Sequence, residues 1–381
     1  MRCGGPGRLF LGAGALAAAL LALLAGRAPA PAPPPWARAD LSGRVAIVTG
    51  ATGVGLGLEH ARALLAMNAT VVVVGRDEGR VASALRVLRT AGCNNGACAG
   101  EALGGGELLA DLSDLRSVRA FAAAFARRFA RLDVLALNAG VMKVPLADAT
   151  RTAQGFEQAV GVNHLAHFVL ARLLAPQLAA SAALTGDARV VVVSSVGHLW
   201  GDLRNAGGAF DEDLAFQRRG GRQLAQAGFE GYTRSKLANV LFAAELARRA
   251  AGTGVRAFSL HPGAVATDIF RHVAPEGAGG GALGAALEAV ALPLARLFLR
   301  TPAEGARTQV FLSAAPLAAI AGASGGYFHD GFLGHGPHFG RDPRQAAWPH
   351  VSAQSGDDEL AAALWRRSEE LTADGGGDAP P

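Results

Sequence analysis

Cysteine, tyrosine and charged side chains are scarce in this sequence. Among its 381 residues there are three cysteines and two tyrosines, and charged residues make up 18%. The odd cysteine count, without partners at zinc-ligand spacing, argues against a disulfide framework and against a zinc site, so no metal site is predicted. A reducing compartment is the more consistent environment, although a local bridge between Cys93 and Cys98 stays open.

A dense block of basic residues is also missing. The formal net charge is +5, but the arginines are scattered along the chain. Proteins that bind nucleic acid concentrate positive charge on one face, so nucleic acid is not an expected partner. Apolar residues make up 50% of the chain, which allows a sizeable core and is not the composition of a disordered protein.

A long uncharged stretch occupies residues 9–26, near the N-terminus. It is long enough to span a bilayer as a helix. The alternative is a cleaved secretory signal, with "APA" at 28–30 as the cleavage site. Pro31 follows directly and disfavours cleavage, so an uncleaved anchor is the preferred interpretation. We assign 1–27 to a membrane anchor or signal segment and 28–40 to a stiff proline-rich linker.

From residue 44 onward, valine-rich runs alternate with alanine- and leucine-rich segments of helical spacing. The predicted strands are 44–50, 70–76, 107–111, 132–140, 188–195 and 255–263, and the predicted helices are 55–67, 78–91, 114–130, 153–180, 231–251 and 357–372. Apolar strands separated by helices are typical of a parallel sheet covered on both faces. The predicted fold class is therefore α/β: a single Rossmann-type, doubly wound parallel sheet with helices on both faces, plus an N-terminal hydrophobic helix. The main domain spans 41–350 and includes a lid at 264–300, and residues 351–381 form a C-terminal helix and a flexible tail.

The glycine-rich turn "TGATGVGLG" at 49–57 joins the first strand to the first helix. Its glycines let the backbone approach a pyrophosphate, while amides at the helix N-terminus point at the phosphate charge. This context indicates a dinucleotide site rather than a plain tight connection. Arg76, at the end of the second strand, favours the 2′-phosphate of NADP(H), with NAD(H) as the alternative. Asp77 is interpreted as the N-cap of the next helix.

Two further strand ends are candidates for cofactor contact. Asp111 either contacts an adenine ring or caps the helix that follows, and the sequence leaves both interpretations open. The small residues of Asn138-Ala139-Gly140 would let a cofactor lie close to the backbone, although a simple turn has the same composition.

Tyr232 and Lys236 lie four residues apart on a predicted helix, so they share one face. A free phenol has a pKa near ~10, and a nearby ammonium is expected to lower it by favouring the phenolate. The pair could then exchange a proton with a carbonyl or hydroxyl oxygen near neutral pH. Ser195, at the end of the preceding strand, could donate a hydrogen bond to the same oxygen. Together with the glycine turn, this order of residues makes an ordinary surface pair a poor explanation.

In combination, these motifs resemble the short-chain dehydrogenase/reductase family, and more narrowly its membrane-anchored, retinol-dehydrogenase-like branch. The similarity covers about residues 41–373 and rests on segments that include "VAIVTGATGVGLGLEHA", "LDVLALNAGVM", "RVVVVSSVGH", "YTRSKLANVLFAAELARR" and "LHPGAVATDIFRH". The resemblance implies that Tyr232 donates and accepts the proton and that Lys236 also holds the nicotinamide ribose. It implies that Ser195 orients the substrate oxygen and that Asn163 belongs to a proton relay.

The resemblance, together with the glycine turn, also implies a cofactor-binding set. Its members are Gly50, Thr52, Gly55, Leu56, Gly57, Arg76, Asp111, Leu112, Asn138, Ala139, Gly140, Tyr232, Lys236, Pro262, Gly263, Val265 and Thr267. One departure from the family pattern stands out: Gly50 and Gly55 are separated by four residues, one more than usual.

The implied function is interconversion of a lipophilic alcohol, retinoid- or polyprenoid-like, and its aldehyde or ketone by hydride transfer, with NADP(H) preferred and NAD(H) as the alternative. A catalytically weak, NADP(H)-sensing binding protein is the alternative function, which the irregular glycine turn favours. The expected partners are a lipophilic small molecule and the membrane, contacted through the N-terminal helix, with a homodimer left open. The expected location is the endoplasmic reticulum membrane, or a secreted or organelle-targeted form if the N-terminus is cleaved.

Overall fold

A seven-stranded parallel sheet organises the chain. The computed structural model describes residues 39–91, 100–142, 151–215, 228–263, 265, 300–329 and 352–373. The strands follow the order β3-β2-β1-β4-β5-β6-β7. They are β1 (Val45–Thr49), β2 (Thr70–Val74), β3 (Ala102–Leu103), β4 (Val134–Leu137), β5 (Ala188–Val193), β6 (Val255–His261) and β7 (Tyr327–His329). The predicted doubly wound parallel sheet is confirmed, whereas the predicted hydrophobic helix within 1–27 lies outside the described residues.

Helices cover both faces of this sheet. They are α1 (Leu56–Ala66), α2 (Glu78–Ala91), α3 (Leu115–Arg128), α4 (Gln158–Leu173), α5 (Ala175–Thr185), α6 (Gly228–Arg249), α7 (Pro302–Ala314), α8 (Leu317–Ile320) and α9 (Asp358–Thr372). Successive strand residues point to opposite faces. Ile47 therefore packs in a core with α3, α4, α6 and α9, while the next residue, Val48, packs in a core with α1 and α2.

The long helix predicted at 153–180 begins only at Gln158, because the chain turns at Gly155, which has a φ of +79°. It is two helices, α4 and α5, which meet at a bend of 57°. Pro176 lies in the first turn of α5. Its missing N–H prevents a continuous helix through this point, so α4 ends at Leu173. Among the described residues, no single helix is long and apolar enough to cross a membrane, and the bent α4–α5 pair passes that test only by length and composition.

The third strand is not where the sequence predicts it. The strand expected at 107–111 is absent from that position, and β3 instead pairs with β2 at the edge of the sheet. Gly105 and Gly106 follow β3 with φ values of +83° and +57°, a left-handed conformation that favours glycine. The chain therefore turns before it reaches 107–111, and these residues form no strand.

The C-terminal segment packs back onto the helices that carry the candidate site. The helix predicted at 357–372 is confirmed as α9. The Trp365 ring meets the Phe168 ring of α4 edge to face at 5.0 Å and stacks on the Phe242 ring of α6 at 5.9 Å, between centroids. The guanidinium of Arg249 lies 4.4 Å from the centroid of the Trp365 ring. This segment is thus part of the main core rather than an appendage.

Candidate active site

A cavity of about 410 Å³ opens at the carboxyl ends of the central strands. This edge is where parallel α/β sheets bind ligands, next to the point at which the strand order reverses between β1 and β4. The cavity gathers most of the predicted residues: Gly50, Thr52, Gly55, Leu56, Gly57, Arg76, Asp111, Leu112, Asn138, Ala139, Gly140, Ser195, Tyr232, Lys236, Pro262, Gly263 and Val265. Asn163 lies behind the wall rather than in it, and Thr267 lies outside the described residues.

The glycine turn accommodates its additional residue by bulging outward. Val54, near the middle of the turn, is 78% exposed. Gly50 has a φ of +70°, and a Cβ on Gly57 would lie 2.7 Å from the carbonyl oxygen of Gly50. The close packing of α1 on β1 is therefore kept despite the longer turn. Gly55 is the N-cap of α1 and supplies no capping side chain, so the helix begins with backbone amides at the cavity.

Thr49 links this turn to the neighbouring strand end. Its Oγ1 accepts hydrogen bonds from the amides of Asn138 and Ala139 at 2.9 and 3.0 Å. The Nδ2 of Asn138 donates to the Thr49 carbonyl at 2.8 Å, while its Oδ1 is buried without a protein partner. Thr49 is not among the residues predicted from the sequence, although its position directly before Gly50 is a usable signal.

Two arginines line the part of the cavity next to β2. Arg76 lines the cavity there and is exposed, and Arg80, in the first turn of α2, joins it. Asp77 accepts the amide of Arg80 at 2.7 Å, which confirms its predicted capping role. Arg80 is not among the residues predicted from the sequence, because its place in the cavity depends on the direction in which α2 leaves the sheet.

Asp111 lines the cavity but does not cap α3. Its Oδ1 accepts from the amide and hydroxyl of Ser113 at 2.9 and 2.7 Å. The N-cap of α3 is Asp114, whose side chain accepts from the amide of Arg116. Of the two interpretations left open by the sequence, the helix cap is therefore wrong, and a cofactor contact stays a prediction.

The two serines at the end of β5 have different surroundings. Ser194 is buried and donates its hydroxyl to the carbonyl of Lys236 at 2.6 Å, which ties β5 to α6. Ser195 is half-buried, and its Oγ accepts the amide of Gly197 at 3.1 Å. This contact leaves the hydroxyl proton of Ser195 available for an oxygen in the cavity. A Cβ on Gly197 would lie 3.0 Å from Cε1 of Tyr232, so the absent side chain lets the phenol ring pack close to Ser195.

Tyr232 is 8% exposed, and burial raises its pKa above the ordinary value of a phenol. A hydrogen bond from Ser195 opposes this effect only in part. The sequence-based expectation of a lowered pKa is therefore wrong for this structure. Spacing alone shows that an ammonium is near, but it does not reveal how far the ring is removed from water.

Lys236 is 3% exposed, and burial lowers its pKa to about 8. Its Nζ donates to the carbonyl of Val193 at 3.0 Å and lies 5.8 Å from the centroid of the Tyr232 ring. An ammonium has three donors, so two remain for a ligand in the cavity. A Cβ on Gly140 would lie 3.2 Å from Nζ, which shows how closely the opposite wall approaches.

Asn163 lies in a π-helical turn of α4 and is fully buried. Its side chain accepts from the amide of Val141 at 2.7 Å and donates to the hydroxyl of Ser235 at 2.9 Å. Its carbonyl is 3.0 Å from Nδ1 of His167, whose Nε2 is 3.0 Å from Oγ1 of Thr49. These contacts make Asn163 a link between α4, α6 and the cavity wall, while the relay role stays a prediction.

These features fit a dinucleotide. The uncapped N-terminus of α1 suits a pyrophosphate. The unpartnered Oδ1 of Asn138 offers an acceptor, and the two free donors of Lys236 suit ribose hydroxyls. At Gly140 a Cβ would lie 3.2 Å from Nζ of Lys236, so the missing side chain keeps the space beside the ammonium open.

Known proteins are similar to this chain in both sequence and fold. The family model for short chain dehydrogenase matches residues 44–203. Retinol dehydrogenase 14 of Mus musculus is 38% identical over 296 residues, which cover 76% of this chain and 78% of that protein. Retinol dehydrogenase 12 of Homo sapiens is 35% identical over 332 residues, or 87% of each chain.

Solved structures show the same architecture. An uncharacterized protein from Mycobacterium paratuberculosis is 31% identical with a TM-score of 0.59, and the match covers 88% of this chain and 95% of that chain. The complex of Pseudomonas aeruginosa RhlG with NADP has a TM-score of 0.55 at 24% identity, over 79% of this chain and 100% of that chain, and this likeness shows the fold alone. The chain thus belongs to the retinol-dehydrogenase-like branch of the short-chain dehydrogenase/reductase family and is an NAD(P)-binding, alcohol-acting oxidoreductase.

Proposed function

We propose that this protein interconverts a lipophilic alcohol and its aldehyde or ketone, with NADP(H) as the preferred cofactor and Tyr232 as the acid–base. The main support is the placement of two groups of residues along one cavity. Ser195, Tyr232 and Lys236 lie beside β5, and Arg76 and Arg80 lie beside β2. The strands β1 and β4 separate these positions, which amounts to roughly 14 Å at the usual strand spacing. That separation suits an extended dinucleotide.

The cofactor, when bound, supplies or accepts the hydride at its nicotinamide ring. The chain itself must orient the substrate oxygen and exchange a proton with it. Because burial raises the pKa of Tyr232, its phenol is protonated at neutral pH and is ready to donate to a carbonyl oxygen. Lys236, charged at neutral pH and held by Val193, stabilises the phenolate that remains after this donation.

Ser195 completes the arrangement on the substrate side. Its Oγ accepts the amide of Gly197, and its hydroxyl proton can be donated either to Tyr232 or to a substrate oxygen beside it. A donor directed at the oxygen that gains negative charge lowers the barrier more than it strengthens ground-state binding. In the reverse direction, the same serine holds the alcohol oxygen, and Tyr232 must first lose its proton so that its phenolate, stabilised by Lys236, can accept the alcohol proton.

A lipophilic substrate is supported by exposed apolar side chains on the two elements that follow Ser195 and carry Tyr232. Val196 and Trp200 lie on the 3₁₀ turn that directly follows Ser195, and they are 41% and 64% exposed. Phe229, 51% exposed, lies in the first turn of α6, which also carries Tyr232. Large exposed apolar residues grouped around a site are typical of surfaces that contact apolar ligands. The retinol dehydrogenases among the relatives agree with this substrate class.

We further propose that residues 1–27 anchor the chain in the endoplasmic reticulum membrane and that 28–40 link this anchor to the catalytic domain at 41–350. The hydrophobic segment 9–26 and its proline-rich successor support this arrangement. Residues 1–38 and most of the lid at 264–300 lie outside the described residues. Sequencing the N-terminus of the purified protein would distinguish the anchor from a cleaved signal.

A paired substrate and cofactor screen tests the proposal. Retinoid, polyprenoid, steroid and short-chain aldehydes are incubated with NADPH and, in parallel, with NADH, and the alcohol products are quantified. We expect turnover of the long apolar aldehydes, with a higher kcat/KM for NADPH. Preferred reduction of short polar aldehydes would contradict the substrate class. Tight NADPH binding without turnover of any compound would favour the alternative function of a cofactor-sensing protein.

A further inference from the structure

The peptide group that joins Ser195 to Val196 is held at both ends by imidazole rings. The carbonyl oxygen of Ser195 lies 2.6 Å from Nδ1 of His198 and also accepts the backbone amide of His198 at 3.1 Å. The amide of Val196 donates to Nδ1 of His261 at 3.2 Å. A peptide plane with both polar groups engaged cannot rotate without breaking a hydrogen bond. Its orientation determines the direction in which the adjoining Ser195 side chain points.

The protonation of His198 follows from its two partners. A carbonyl oxygen only accepts, so Nδ1 of His198 carries a proton and donates it to Ser195. The amide of Ser352 only donates, and it points at Nε2 at 3.2 Å, so Nε2 carries no proton. The ring is thus a neutral Nδ1–H tautomer. Burial agrees with this state because it lowers the pKa of His198 to about 4.

The surroundings of His198 leave the ring little freedom to move. It is fully buried, and its centroid lies 4.8 Å from that of the Tyr327 ring. Ser352 lies in the C-terminal segment, of which the structure describes residues 352–373, and its side chain caps the 3₁₀ turn Ala353–Gly356 ahead of α9. Gln354 in that turn accepts the amide of Leu203, just beyond the turn that carries His198. The C-terminal segment therefore makes two contacts to this part of the chain, one to His198 in the turn after Ser195 and one to Leu203 just beyond that turn.

We propose that His198 is a positioning residue that holds Ser195 in its catalytic orientation and makes this orientation depend on the C-terminal segment that contains Ser352. The inference rests on the proposed role of Ser195 in orienting the substrate oxygen. It predicts that damage to the His198 contacts lowers kcat while cofactor affinity is unchanged, because the dinucleotide-binding residues lie on other strand ends.

Two isosteric variants separate the contacts of the ring. In His198→Asn, the side-chain amide nitrogen takes the place of Nδ1 and still donates to Ser195. In His198→Gln, the side-chain oxygen reaches the place of Nε2 and can accept the amide of Ser352, while the donor to Ser195 is lost. We expect kcat to fall roughly two- to tenfold for H198N, which keeps the donor to Ser195 but loses the acceptor for Ser352, and roughly 10- to 100-fold for H198Q, the cost typical of a misplaced catalytic group. The NADPH Kd, from cofactor fluorescence, should stay within about twofold in both.

A double-mutant cycle with Ser195→Ala distinguishes a positioning role of His198 from a merely structural one. If His198 acts through Ser195, H198Q causes no further loss of kcat once the serine hydroxyl is gone. The matched control is His60→Gln, which replaces another fully buried histidine that is 2.9 Å from Ser313 and does not line the cavity. H60Q should retain wild-type kcat.

A second pair of variants tests the link to the C-terminal segment without changing His198. Ser352 has a φ of −56°, which proline can adopt, so Ser352→Pro removes the amide donor at little conformational cost. Ser352→Ala removes the hydroxyl and keeps that donor. We expect kcat of S352P to fall roughly two- to tenfold below that of S352A, the effect of one lost hydrogen bond.

The outcomes distinguish this inference from the proposed function. Equal kcat for H198N and H198Q, or an H198Q loss that persists undiminished in the Ser195→Ala background, would overturn the positioning role. Equal kcat for S352P and S352A would overturn the dependence on the C-terminal segment, and this comparison holds even if H198Q fails to fold. Full activity of Ser195→Ala would instead contradict the proposed role of the serine.

Discussion

Removing the guanidinium of Arg76 or Arg80 should weaken NADPH binding and leave NADH binding unchanged. Both side chains are exposed and line the cavity beside β2. The two cofactors differ only by the 2′-phosphate, so a contact to that group affects one of them alone. The variants Arg76→Ala and Arg80→Ala therefore test cofactor preference without touching the catalytic end of the cavity.

The magnitude follows from the exposure of the two arginines. A hydrogen bond to a charged group contributes about 1.5–3 kcal/mol, and solvent screening reduces this to about 1–2 kcal/mol at an exposed site. We therefore expect the NADPH Kd to rise roughly 5- to 30-fold in each single variant. The two effects should not be strictly additive in the double variant, because both arginines would share one phosphate group.

Cofactor fluorescence titrations at low and high ionic strength measure this effect. The difference between NADPH and NADH should shrink as salt rises, because exposed charge pairs are screened. Arg86→Ala is the matched control, since Arg86 is an exposed arginine on the same helix, α2, and does not line the cavity. An unchanged ratio of NADPH to NADH affinity in the double variant would refute the assignment of this end to a 2′-phosphate.

Three further variants test other parts of the structure. Burial raises the pKa of Glu157 from 4.5 to about 7, so the folded chain holds the proton of this carboxyl group more tightly than the unfolded chain does. The stability that this proton contributes is fully present below pH 4.5 and is lost as the pH rises through about 7. Between pH 5 and pH 8, the free energy of unfolding measured in urea should fall by roughly 3 kcal/mol in wild type, and this fall should vanish in Glu157→Gln. An equal fall in the two proteins would contradict the prediction. Gly140→Ala places a Cβ 3.2 Å from Nζ of Lys236 and should lower kcat/KM about tenfold, whereas wild-type kinetics would show that the wall can shift. Trp365→Ala removes a buried ring packed on Phe242 and should lower the free energy of unfolding by roughly 3–5 kcal/mol, and a loss below about 1 kcal/mol would show that α9 is not part of the core.

The central strands were predictable because each is a continuous run of β-branched and apolar residues. "RVAIVTG" and "TVVVVGR" have few alternatives to a buried strand in a parallel sheet. The edge strands were not predictable on the same basis. β3 contains only Ala102–Leu103 and β7 only Tyr327–His329, so neither has a pattern long enough to detect. Their existence depends on the neighbouring strand that each one pairs with.

Helix boundaries followed the sequence except at the helix predicted at 153–180, which begins at Gln158 and is interrupted after Leu173. The pattern runs through Leu174 without a change in composition, yet Pro176 ends the hydrogen-bond ladder and turns the chain. At β3, the apolar residues at 107–111 resemble a strand, but the left-handed glycines before them direct the chain into a turn. In both cases a local conformational rule outweighs hydrophobic periodicity.

The candidate site shows the same division between local and tertiary information. The glycine turn and the spacing of Tyr232 and Lys236 are local, and the structure brings them to one cavity. Arg80 and His198 could not be recognised, because their roles depend on which elements pack against their own. The pKa of Tyr232 was predicted with the wrong sign because spacing reveals the nearby charge but not the burial that outweighs it.

The most direct measurement of the central claim compares the only two tyrosines of the chain. Tyr232→Phe removes the phenol at the cavity, and Tyr327→Phe removes a second phenol that is equally buried but does not line it. Single-turnover oxidation of NADPH is followed with a long-chain aldehyde, together with the NADPH Kd of each variant. The account predicts that Tyr232→Phe lowers the rate at least about 100-fold with an unchanged Kd, while Tyr327→Phe resembles wild type. A Tyr232→Phe enzyme that reduces the aldehyde at the wild-type rate would contradict it.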